Sequence, residues 1–170
     1  MENSLTSDLS LFENQDLVKN PFIYKSYQAE DTFSLGSLFS RRLEKGSVVA
    51  LNGPLGAGKT CFVKGIASGL GIKDEVKSPT YTIISEYEGK LCSKTTIPIY
   101  HIDAYRLNGI EDFNAIGGEE ILYGSGISII EWADRIAGII PVKVFLVNIE
   151  ISGDNIGTFN RVARKYNVDK

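Results

Sequence analysis

Residues 51–60 read LNGPLGAGKT, and Gly53 to Thr60 fits the spacing G-x-x-x-x-G-K-S/T of a phosphate-binding loop. The flanking residues support it. Ser47 to Asn52 (SVVALN) is a short apolar run of strand character, and Lys59 to Leu70 (KTCFVKGIASGL) repeats its apolar residues at helical intervals. Phe62, Val63, Ile66, Ala67 and Leu70 fall on one face of that helix, and Gly69 and Gly71 mark its end. Strand, glycine-rich loop and helix in succession are the setting such a loop requires.

Each loop residue then has a physical task. Gly53, Gly56 and Gly58 tolerate positive φ and close backbone approach, so successive N–H groups through Leu55, Ala57 and Cys61 can converge on phosphate oxygens at the positive end of a helix. Lys59 is placed to reach the β- and γ-phosphates, and the Thr60 hydroxyl to complete a magnesium site. Cys61 and Cys92 have neither metal-ligand nor disulfide spacing; Cys61 stands at a helix start that could stabilise a thiolate, but packing or mere proximity to the nucleotide is its expected role. His101 is the only histidine, and with no second histidine and no serine or cysteine cluster it is expected to serve neither a metal nor a triad.

Upstream of the loop, FIYKSYQA (residues 22–29) reads as a strand. EDTFSLGSLFSRRLEKG (30–46) reads as a helix capped by Asp31 or Thr32, turning Leu35, Leu38, Phe39 and Leu43 inward and closed by Gly46. Downstream, the pattern predicts a strand from Thr80 to Tyr87, a turn or hairpin around Gly89 with a somewhat long connection through GKLCSKTT (89–96), and a returning strand from Ile97 to Asp103, with Pro98 setting the start of the return near an edge. GIEDFNAIGGEEIL (109–122) predicts a short helix broken at Gly117-Gly118, GISIIEW (126–132) a buried strand, and ADRIAGIIP (133–141) a helical turn stopped by Pro141. KVFLVNIEI (143–151) and TFNRVARKY (158–166) read as two closing strands around a Gly153-Asp154 turn. Strands alternating with helices predict an α/β fold, a mixed, mainly parallel sheet flanked by helices in the manner of P-loop nucleotide hydrolases.

The 170 residues suit one domain over residues 21–170. The first 20 residues carry Glu2, Asp8, Glu13 and Asp16 against Lys19 and read as a flexible acidic extension, leaving seventeen basic and seventeen acidic side chains in the rest. A body so balanced lacks the basic field that direct nucleic-acid binding requires, so any contact with RNA is expected to run through partners. No apolar run approaches the ~20 residues of a membrane span. Neither a membrane nor a signal peptide is expected, and the cytoplasm is the default location.

Ligands of open α/β sheets sit beyond the carboxyl ends of the strands. Two acids end apolar runs there, Asp103 after IPIYHI and Glu131 after ISII. A phosphate loop needs such an acid to orient magnesium, directly or through water. Thr80, in SPTYT (78–82), is either a strand-entry residue or part of a loop that responds to the γ-phosphate. Trp132 is either a core aromatic or a nucleotide or partner contact, and Arg106 could pair with an acid, face a partner or stabilise transition-state charge.

Taken together, GPLGAGKT, VKSPTYT, YHIDAYRL and IIEWADR, in this order and at these separations, resemble the TsaE family of bacterial ATPases, and the likeness runs from about Phe22 to Ile151. The resemblance implies an ATPase that supports turnover of the TsaD–TsaB pair in forming threonylcarbamoyladenosine in transfer RNA, the RNA being met only through that complex. It implies that Lys59 and Thr60 hold phosphate and magnesium, that Thr80 belongs to a switch-like loop, and that Asp103 and Glu131 are the acids of the hydrolytic site. Glu131 is the favoured metal-side ligand and Asp103 the positioner of water or of the switch. ATP is expected over GTP because the chain has no N/T-K-x-D segment to read guanine. The competing readings are a small-molecule or nucleoside kinase, which would need an arginine-bearing lid, and a non-catalytic module gated by nucleotide.

Overall fold

In the computed structural model, which describes residues 22–152 and 156–165, the chain runs β1 (Phe22–Ser26), α1 (Ala29–Phe39), β2 (Val48–Asn52), α2 (Lys59–Gly69), β3 (Ile84–Lys90) and β4 (Thr96–Asp103). It continues through α3 (Ile110–Ala115), α4 (Gly118–Leu122), β5 (Ile127–Glu131), β6 (Val144–Ser152) and β7 (Ile156–Lys165). Single 3-10 segments cover Ser40–Arg42, Ala104–Arg106 and Ala133–Ile139. One seven-stranded sheet holds the strands in the order β1-β7-β6-β2-β5-β4-β3. The four central strands β6, β2, β5 and β4 are parallel, and the outer pairings are antiparallel.

Burial on both faces explains why β2 and β5 are apolar without alternation, since a parallel sheet carries helices on each side. Val49, Leu51, Ile129 and Val147 meet Leu35 and Phe39 of α1 and Phe62 and Ile66 of α2. On the other face Ala50, Ile102 and Ile130 meet Phe113, Leu122 and Ile136. The strand period of two therefore sends Ile129 and Glu131 to the α2 side and Ile130 to the opposite side.

Two glycines let α1 and α2 cross at backbone contact. A Cβ at Gly65 would strike the Phe33 carbonyl oxygen, and one at Gly36 the Phe62 carbonyl oxygen. Gly65→Ala is expected to destabilise the fold by about 2 kcal/mol, because overpacking outweighs the roughly 1 kcal/mol that alanine gains over glycine inside a helix. Denaturant unfolding with an unchanged m-value reads the loss.

Several expected boundaries shift. The first helix is capped by Gln28, not by Asp31 or Thr32, and ends at Phe39 instead of running toward Gly46. Asp31 lies inside the first turn, where its carboxylate accepts the backbone N–H groups of Tyr27 and Gln28. The strand expected from Thr80 begins at Ile84; Thr80 sits in a turn closed by the Ile83 N–H on the Pro79 carbonyl, with Ile83 at φ 66°. The expected hairpin is present, but Gly89 belongs to its first strand and not to its tip, and is glycine because Leu70 and Ile99 crowd its Cβ position. The chain reverses at 91–95, with Lys94 at φ 64°.

Pro98 is internal to the sheet, but pairing of β4 with β5 begins only at Ile99, so the strand's first residues have β3 alone as neighbour. β3 itself is an outer edge and exposes Glu86, Glu88 and Lys90. The break at Gly117 and the helical turn after Trp132 are as expected. The acidic extension over residues 1–20 and the Gly153-Asp154 turn lie outside the described residues. No helix of the described residues is long and apolar enough to cross a membrane.

Candidate active site

The loop between β2 and α2 folds as its glycines allow, with Gly53, Gly56 and Gly58 at φ 145°, 78° and 103°. Gly58 is the N-cap of α2, so the helix begins at Lys59 and its free N–H groups open on the carboxyl ends of the parallel strands. At Gly53 the backbone runs so close to β6 that a Cβ would strike the Ile149 carbonyl oxygen.

Two of those strands end in the acids. Asp103 and Glu131 are register partners on adjacent parallel strands, and both are buried. Thr60 joins the loop helix to the second of them: its hydroxyl lies 2.9 and 3.1 Å from Oε1 and Oε2 of Glu131. His101 Nε2 stands 2.9 Å from the same Oε1. Asp103 is held by a different set. Its Oδ2 accepts from Ser78 at 2.9 Å and Thr80 at 2.7 Å, and its Oδ1 caps the following 3-10 turn by accepting from Tyr105 N at 3.0 Å.

Lys59 is 4% exposed and folds back on its own loop, with Nζ donating to the carbonyls of Gly53 at 2.7 Å and Pro54 at 2.8 Å. The same ammonium sits 3.8 Å from the ring centroid of Trp132. Burial holds its pKa below the ordinary lysine value, opposed by the nearby charges of Glu131, Asp103 and Asp134. Trp132 follows β5 in the left-handed region at φ 59°, an arrangement that for a bulky side chain costs about 1–3 kcal/mol. Its surroundings hold that turn in place: the Asp134 N–H donates to Asn52 Oδ1 at 3.0 Å, and the Tyr105 ring lies 5.0 Å from the indole.

These groups line a cleft of about 430 Å³ that takes in Leu55, Gly56, Gly58, Lys59, Thr60 and Cys61 from the loop, with Thr80, Asp103, Glu131 and Trp132 opposite. Gly53 and Ala57 do not line it. Gly53 contributes the carbonyl that receives Lys59, and Ala57 borders a second hollow of about 270 Å³ on the other side of the loop, beside Tyr27 and Gln28. Cys61 is half-buried, its thiol directed at the Ala29 carbonyl at 3.2 Å and pushed up in pKa by burial, so it is a packing cysteine. Arg106 stacks 4.6 Å from the Tyr81 ring, away from the cleft lining.

Sequence reasoning missed His101 and Ser78. The signal for His101 was its place two residues before Asp103, which on a strand puts both side chains on one face. Ser78 had no signal beyond its position in the Thr80 loop.

A phosphate loop at the start of a helix, faced by two strand-end carboxylates on a mainly parallel sheet covered on both sides, defines a P-loop nucleotide-hydrolase-like protein. The sequence profile of the family described as threonylcarbamoyl adenosine biosynthesis protein TsaE matches residues 26–162, past the end of the likeness read from the motifs. The chain belongs to the TsaE family. It is 46% identical over 129 residues to the tRNA threonylcarbamoyladenosine biosynthesis protein TsaE of Treponema pallidum, covering 76% of this chain and 91% of that one. The protein of that name from Bacillus subtilis is 36% identical over 145 residues, 84% of this chain and 87% of its own. Among solved structures, the crystal structure of Bacillus subtilis YdiB is similar with a TM-score of 0.68 at 33% identity, over 85% of this chain and 87% of that one.

Proposed function

We propose that the cleft binds magnesium–ATP and hydrolyses it to ADP and phosphate, in support of the TsaD–TsaB pair as it forms threonylcarbamoyladenosine in transfer RNA in the cytoplasm. The single observation that carries the reading is the contact between Thr60 and Glu131, which unites the loop hydroxyl with a buried strand-end carboxylate.

The donor set fits magnesium, because Thr60, Glu131 and Asp103 offer only oxygen. Among the described residues no three His, Cys, Asp or Glu side chains gather into a cage of their own. Magnesium usually keeps several waters and takes its remaining ligands from substrate phosphates. Thr60 and Glu131 would hold it on the loop side, with Asp103 acting on the Thr80 loop or on water. When bound, the ion neutralises charge on the transferring phosphoryl group.

The remaining work falls to the chain. Backbone N–H groups between Leu55 and Cys61 grip the phosphates, and Lys59 exchanges the Gly53 and Pro54 carbonyls for phosphate oxygens. Asp103 fixes the Ser78 and Thr80 hydroxyls against the cleft wall. Removing one of those hydroxyls while keeping the side-chain shape, as in Thr80→Val, is expected to cost about 1 kcal/mol of positioning, roughly a fivefold loss of turnover. Steady-state phosphate release with nucleotide affinity measured separately checks it, affinity being expected to hold.

The test of the function itself is phosphate release from magnesium–ATP with and without the TsaD–TsaB pair and transfer RNA. Slow release by the chain alone and faster release with the partners is expected. An unaltered rate overturns the partner assignment, and no release in any combination overturns the hydrolase.

A further inference from the structure

His101 is 1% exposed, lies on β4 between β5 and the edge strand β3, and is the only histidine of the chain. Its Nε2 is 2.9 Å from Glu131 Oε1, and its Nδ1 has no hydrogen-bond partner among the described residues. A ring with a single polar neighbour, itself a carboxylate, is satisfied by carrying its proton on Nε2 and donating it. Placing the proton on Nδ1 would set two lone pairs against each other at Oε1 and bury an N–H without an acceptor.

The contact has a purpose that Thr60 cannot meet alone. The last torsion of a glutamate is broad, and the Thr60 hydroxyl lies within reach of both carboxylate oxygens yet has only one proton to give. Held by Thr60 alone, the carboxylate could turn. A rigid donor fixed in the sheet removes that freedom by claiming Oε1.

We infer that His101 is a positioning residue: its Nε2–H sets the orientation in which Glu131 meets the magnesium of the bound nucleotide. The inference rests on the magnesium–nucleotide reading of the cleft. Donors of this kind, one step removed from a metal, commonly change metal affinity by about 10–100-fold when lost.

The test is Mn2+ affinity in the presence of ADP, beside ADP affinity in EDTA, for the tag-free native chain, His101→Leu and His101→Gln. Leucine fills the space without a donor, whereas the glutamine amide reaches about as far as Nε2. His101→Leu is expected to weaken Mn2+ about tenfold, and His101→Gln to stay within about threefold of native. Affinity for ADP in EDTA is expected to be equal in all three. Mn2+ affinity unchanged in His101→Leu, or lowered equally in both variants, overturns the role. A native chain whose ADP affinity ignores Mn2+ overturns the magnesium reading itself, and this inference with it.

Should His101→Leu fail to fold, the native protein still decides. Its single pair of ring 15N signals is expected to show the Nε2–H form and to move when Mg2+ joins bound ADP. A ring protonated on Nδ1, or signals indifferent to Mg2+, overturns the inference.

Discussion

On the proposed function, Lys59→Ala is expected to abolish ATP turnover in practice, by a factor on the order of 10³ or more, since the variant removes an ammonium that would meet charge developing on the transferred phosphoryl group. Its environment says why the effect is large. The side chain is nearly fully buried, where a charge acts through little intervening water. Two loop carbonyls and an indole hold it beside the cleft, so on the proposed function it has only to exchange those carbonyls for phosphate oxygens. The same variant removes the cation that would replace those carbonyl contacts with phosphate contacts, so nucleotide affinity is expected to fall as well. Phosphate release with partners present, and equilibrium binding of ADP, measure the two losses separately. Turnover within tenfold of native would remove Lys59 from the chemistry.

Glu131→Gln is the second. The amide keeps the size of the side chain and can still accept from Thr60, while the negative charge disappears. Turnover is expected to drop by a factor of roughly 10² to 10³, the scale of losing one preorganised electrostatic element. Nucleotide affinity measured in EDTA is expected to hold or rise, because a carboxylate no longer faces the triphosphate. The charge of Glu131 is also the leading one that sustains the Lys59 ammonium against burial, so the variant lowers the lysine pKa further. If this variant binds ATP yet supports the partners fully, hydrolysis is dispensable and the chain acts as a nucleotide-gated module.

The loop, its helix and the two acids were legible because each is local. The loop is a spacing, the α2 face is a periodicity, and Asp103 and Glu131 are the polar ends of apolar runs. Their adjacency was not legible: nothing in the order of residues says that β5 lies between β2 and β4, which is what sets residue 103 beside residue 131. The same holds for His101, whose partner is thirty residues away in sequence.

Two of the misread elements share a cause, tertiary contact overriding local preference, and the third is a local cap. Thr80 to Ile84 is rich in β-branched residues and reads as a strand, yet hydrogen bonds from Ser78 and Thr80 to Asp103 hold its start in a turn. Gly89 has the composition of a turn, yet crowding by Leu70 and Ile99 explains it inside a strand. Gln28 is a weak capping residue by preference, and the Asp31 carboxylate behind it supplies the contacts that start the helix.

The outer strand β3 bears on how copies of this molecule meet. An edge strand offers unpaired backbone groups to any neighbour with a strand to add. Glu86, Glu88 and Lys90 stand exposed along that flank, so an incoming strand would have to seat itself against a row of charges. Growth of the sheet from one copy to the next is thereby disfavoured on this side, and the flank acts as a guard against aggregation when the protein is concentrated.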